Sequence, residues 1–157
     1  MARTETQLRA AVMTGRLARH MAPGLRFALY GVCGLLWLTG VLWLVAHFGF
    51  PQRNEFGALP NPSEPGLMRL HGVLAVGCVF LLGWVSASHV PARWGRLANR
   101  RSGLWLSGSA VVLVVSGYAL YYCTGALHDG AAAVHEWLGA AALIAALAHW
   151  LRARAAR

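Results

Sequence analysis

The chain has no lysine and only five acids among its 157 residues. Charged residues make up 12%, about half the share carried by a soluble domain. Three cysteines are scattered singly, and none forms a CxxC pair. Cys33 and Cys78 fall in apolar stretches and read as small apolar residues, while Cys123 falls near the end of one. What fills the chain instead is apolar: 57% of residues are hydrophobic, which excludes a disordered chain. The length allows one domain or one bundle of a few elements. The formal charge of +9 comes entirely from arginine and first suggests nucleic acid or a membrane surface.

The hydrophobic runs decide between these. Residues 27–48, 70–90, 104–122 and 133–151 are long and apolar enough for transmembrane helices, which need about 20 residues. None has Arg or Asp in its middle. The leader before the first run and the 22-residue run itself are too long for a cleaved secretory signal and read as mature chain. Leu8, Val12 and Leu17 in that leader predict a short surface helix. The loop 49–68 carries Pro51, Pro60, Pro62 and Pro65 and is not helical throughout, and Pro91 marks the end of the second span.

Four spans give the charge a geometry. Arg3, Arg9, Arg16, Arg19, Arg26, Arg93, Arg96, Arg100, Arg101, Arg152, Arg154 and Arg157 fall on one side, and only Arg53 and Arg69 on the other. Glu55, Glu64, Asp129 and Glu136 fall on the arginine-poor side. The positive-inside rule then predicts both termini in the cytoplasm. The basic excess orients helices, and no aromatic-interleaved basic groove points to nucleic acid.

Ionisable residues within spans are functional candidates, and here they are histidines. His71 begins span two and His89 ends it; His135 begins span four and His149 ends it. Both spans run from outside to inside, so His71 and His135 share the outer level, and His89 and His149 the inner one. A separation of 18 residues returns to the same helix face after five turns, and 14 is about four turns, off by roughly 40°. Two such helices facing each other create two stacked histidine pairs. A bis-imidazole site of this kind ligates haem iron in a bundle core. The rises differ, about 27 Å against about 21 Å, so the inner pair is offset by about 6 Å in straight helices, and His20 is the alternative to His89. His47 and His128 read as interfacial, with His47 a reserve ligand. A zinc site would have to draw on His128, Asp129, His135 and Glu136. Between the histidines, span four reads Gly139, Ala142, Ala146 and span two Ala75, Cys78, Leu82, Ser86, leaving room for a flat macrocycle or a close helix.

These residues resemble the four-helix b-type cytochromes of bacterial membranes, in particular the cytochrome b subunits of formate dehydrogenases and hydrogenases and their small relatives. The shared features are two histidines fourteen apart in the last span, His135 and His149, an outer His71 in the second, and the hydroxyl-glycine pairs Thr39-Gly40 and Ser116-Gly117. One feature departs: the family often has an inner ligand at the cytoplasmic start of span one, where this chain has only the upstream His20. A smaller group of membrane proteins shares His71-Gly72, Asn99-Arg100-Arg101-Ser102-Gly103 and the run Ser116-Gly117-Tyr118-Ala119-Leu120-Tyr121-Tyr122.

The resemblance implies an all-α up-down bundle of four transmembrane helices in the bacterial inner membrane. Residues 1–26 would be a basic cytoplasmic segment, 27–151 the haem-binding bundle and 152–157 a basic cytoplasmic tail. Two haems b are expected, the outer one foremost, on His71, His135, His89 and His149, with Gly40, Gly117 and Gly139 beside them. The implied function is electron transfer between the quinone pool and a redox partner protein, as a cytochrome or oxidoreductase subunit rather than a stand-alone catalyst. Lipid is the surrounding partner, homo- or hetero-oligomers are open, and nucleic acid is not expected. Tyr118, Tyr121, Tyr122 and Trp137 form an aromatic belt, or flank a quinone ring. The competing readings are a cofactor-free anchor or assembly subunit, and a metal-ion or proton transporter. No mid-membrane acid and no proline-broken span supports the last.

Overall fold

The computed structural model describes residues 23–55, 57–93 and 97–155. The expected surface helix near Leu8, Val12 and Leu17 lies outside the described residues, as do His20, Arg96 and Arg157. Four long helices follow one another: α1, Pro23–Leu44; α2, Glu64–Arg93; α3, Leu97–Tyr122; and α4, Ala126–Ala155. Each contains a segment long and apolar enough to cross a membrane. A wider π-type turn, Val45–Gly49, continues α1.

The helices outrun the apolar spans. α2 begins six residues before position 70, although Pro62 and Pro65 lie there. Proline is tolerated in a first helical turn, where its missing N–H has no partner to lose. A reciprocal cap secures that turn: the Glu64 amide donates to the Asn61 carbonyl at 2.9 Å, and the Asn61 amide donates to Glu64 Oε1 at 2.8 Å. At the other end, α2 runs two residues past Pro91 instead of stopping before it. So close to the terminus, one lost backbone bond is not enough to end the helix sooner. The proline-rich loop also departs from an all-helical fold, since it holds a small antiparallel hairpin. Its strands β1, Gln52–Asn54, and β2, Gly57–Leu59, pair Gln52 with Leu59 and Asn54 with Gly57. Gly57 has φ +122° and Gly125, which turns the chain between α3 and α4, φ +60°, both conformations that favour glycine.

The backbones pack most closely as two hairpins, α1 with α2 and α3 with α4, joined by a looser α1–α4 contact. Within each hairpin the register is antiparallel. In the first, Thr39 meets His71 and Cys33 meets Cys78; in the second, Ser116 meets His135 and Ser102 meets His149. Across the hairpins, the Trp37 indole donates to the Ala140 carbonyl at 3.2 Å.

Burial is inverted relative to a water-soluble protein. Phe80, Trp105, Val111, Val115, Ile144 and most other large apolar residues face outward. Among the described residues, Thr39 at 4% and Ser116 at 6% are the least exposed of all. Water would penalise such a surface heavily, whereas a hydrocarbon solvent accepts it.

Candidate functional site

The two most deeply buried hydroxyls stand behind two histidines. The Thr39 hydroxyl donates to the carbonyl of Leu36 at 2.9 Å and lies 3.1 Å from His71 Nδ1. The Ser116 hydroxyl donates to the carbonyl of Leu113 at 3.2 Å and lies 3.0 Å from His135 Nδ1. A hydroxyl has one proton, and each of these is committed to its own helix. With its proton on that carbonyl the hydroxyl accepts from the imidazole, and Nδ1 is then the nitrogen that carries the hydrogen. In a neutral imidazole the other nitrogen, Nε2, then keeps a free lone pair. This is how a buried metal-binding histidine is prepared: an outer partner fixes tautomer and ring orientation and raises the basicity of the ligating nitrogen.

Both rings also depend on a missing side chain. A Cβ built on Gly40 would lie 3.2 Å from His71 Cε1, and one on Gly117 would lie 3.2 Å from His135 Cε1. The dipeptides Thr39-Gly40 and Ser116-Gly117 therefore act as matching cradles, in which the hydroxyl holds Nδ1 and the glycine makes room for the adjacent ring edge. One cradle belongs to each hairpin.

Between the hairpins the two imidazoles meet. The His71 and His135 ring centres are 6.3 Å apart, with planes inclined at 76°. An imidazole nitrogen binds a metal ion at about 2.0–2.1 Å, so two imidazoles sharing one ion would need their ring centres roughly 6 Å apart. The observed spacing fits that requirement. Among the described residues no group of three or more His, Cys, Asp or Glu gathers as a metal cluster. The residues His128, Asp129, His135 and Glu136 are not gathered into such a group, and His128 lies 3.5 Å from Asp129. A bis-imidazole site would need only two histidines.

A looser version of the arrangement, with the glycine at ordinary contact distance, lies at the far end of the second hairpin. Ser102 Oγ lies 3.0 Å from His149 Nδ1, and a Cβ on Gly103 would lie 3.6 Å from His149 Cε1. Fourteen residues separate Ser102 from Ser116 on α3, and fourteen separate His135 from His149 on α4. Antiparallel helices thus place one hydroxyl behind each histidine. This third cradle was visible in the sequence as that matched spacing and was passed over there. Ser107-Gly108 shows that the dipeptide alone is not the signal, because both residues are exposed and no side chain lies near Gly108.

The other candidates fall elsewhere. His89 is half-buried near the end of α2. Gly139 lies one turn from His135, but its open side faces Leu113, 3.7 Å away, an ordinary packing contact between α3 and α4. His47 stacks on Trp43 with ring centres 4.6 Å apart and contacts Glu64 at 3.2 Å, which ties the end of α1 to the start of α2. Tyr118, Tyr121, Tyr122 and Trp137 all face outward, as a belt requires. The exposed Tyr121 lies with its hydroxyl 3.9 Å from the open side of Gly72, next to His71 in sequence. Compared with known protein families, curated proteins and solved structures, the chain has no match in any of the three.

Proposed function

We propose that this chain is a four-span membrane cytochrome and that His71 and His135 hold a b-type haem through their Nε2 atoms. The observation that carries the reading is the pair of imidazoles from α2 and α4, with ring centres 6.3 Å apart and each Nδ1 within 3.0–3.1 Å of a buried hydroxyl. Haem held there by His71 and His135 would supply one-electron redox chemistry.

The chain's own residues do the rest. Thr39 and Ser116 hold the imidazole protons and fix the ring planes. Gly40 and Gly117 leave the space those rings occupy. The apolar helices around the pair exclude water. The Ser102-Gly103 cradle behind His149 supports a second site at the inner level, for which His89 is the proposed partner ligand. With the arginine-rich side in the cytoplasm of a bacterial cell, the two levels would connect the membrane faces. Transfer between the quinone pool and a redox partner follows from the resemblance to the cytochrome b subunits of bacterial dehydrogenases.

The test compares single variants of the full chain expressed with ample haem. His71→Ala and His135→Ala should each remove one haem and leave the inner one in place. His47→Ala, outside both cradles, should keep the wild-type haem content. An equal loss in all three would mean that the outer pairing is wrong.

A further inference from the structure

Away from the histidines, the first hairpin brings two thiols together. Cys33 on α1 and Cys78 on α2 have their sulfurs 3.3 Å apart. Both are free cysteines; Cys78 is buried and Cys33 half-buried. Next to them, the open side of Gly77 lies 3.7 Å from Val32 Cγ1, so a glycine allows the two helices to approach closely at this level. A disulfide has an S–S bond of about 2.05 Å, so the sulfurs need to close by about 1.3 Å, within the reach of side-chain rotation.

Their depth is defined by the register. Cys33 lies six residues before Thr39 and Cys78 seven after His71, which places the pair about 9–10 Å below the outer imidazoles. His149 lies fourteen residues beyond His135, about 21 Å along α4. The thiols therefore lie near mid-membrane, away from aqueous thiols and from the acids of the loops. The partners available at that depth are apolar molecules of the hydrocarbon phase, and Cys33, only half-buried where it faces Cys78, is the point of contact.

We infer that Cys33 and Cys78 form a redox-active dithiol that a membrane quinone oxidises to a disulfide joining α1 to α2. Two S–H bonds break and one S–S bond forms. The two protons and two electrons released reduce one quinone to its quinol. A disulfide is neutral, so the product leaves no charge in the apolar interior. This inference goes beyond the haem reading and does not depend on it.

The experiment counts thiols on the full chain in lipid nanodiscs. The protein is incubated with a fully ring-substituted quinone, which cannot add to thiols, then denatured and labelled with a polyethylene-glycol maleimide. Reduced protein should carry three adducts, and quinone-treated protein one, on Cys123, while running as a monomer without reductant. Dithiothreitol should restore three, and one quinol should appear per chain oxidised. Cys78→Ala should carry two adducts with or without quinone, which keeps the test valid without relying on a double substitution. Three adducts persisting after quinone treatment, or loss of an adduct from Cys78→Ala, would overturn the inference.

Discussion

At the residue scale, everything turns on which imidazole nitrogen bears the proton. Thr39 and Ser116 bear on this because the carbonyls of Leu36 and Leu113 are in range to take their hydrogens, which leaves each hydroxyl oxygen to accept from Nδ1. Thr39→Val keeps the volume and removes the acceptor, so His71 loses its outer partner. Losing such a partner typically weakens a metal site by about 10–100-fold, so haem retention at the outer site should fall by about tenfold or more, measured as haem per chain after competition with apomyoglobin. The glycines give a sharper contrast. In Gly117→Ala, a new methyl 3.2 Å from His135 Cε1 must displace the ring. In Gly139→Ala it meets Leu113 at a comfortable 3.7 Å. Gly117→Ala should change the low-spin electron paramagnetic resonance signal of the outer haem, which near-perpendicular ligand planes make strongly anisotropic. Gly139→Ala should leave that signal as it is. A change in both variants would mean that the small residues serve packing alone.

At the element scale, the molecule is two helical hairpins, each carrying a hydroxyl-glycine cradle on its first helix and a histidine on its second. The site exists only where the hairpins meet, so the contacts between them set its width. The Trp37 indole bond to the Ala140 carbonyl is one of these. That carbonyl lies mid-helix and keeps its helical partner, so Trp37→Phe removes a bond without stranding a polar group. Hydrogen bonds between membrane helices average about 0.6 kcal/mol and reach about 1.7, so a thermal melt in detergent should show a small loss of stability with the helix content unchanged. Much of this level was legible in the sequence. Four apolar runs gave four helices, and the spacing of the histidines put His71 and His135 at one depth. The helix ends were not legible, because a polar cap at Asn61 and Glu64 extends α2 beyond its hydrophobic run. Neither was the small hairpin, since strands of three residues leave no periodicity to read. Cys78 was read as filler on the histidine face, and its contact with Cys33 depends on a helix register that one sequence does not show.

At the scale of the whole molecule, the inverted burial and the twelve-to-two arginine partition describe the same thing from outside and from the ends. An apolar exterior suits lipid, and the arginine partition is the kind of asymmetry by which the positive-inside rule orients helices. Among the described residues the least exposed are two hydroxyl residues, Thr39 and Ser116, each in contact with an imidazole. The lack of lysine has no physical explanation in the fold, since either basic residue satisfies the topology rule. The most direct test is the visible spectrum of the purified full chain before and after dithionite, with haem quantified per chain. The proposed cytochrome should show the bands of six-coordinate low-spin b haem, present at two per chain. Protein made with ample haem that shows no haem bands in either state would contradict it.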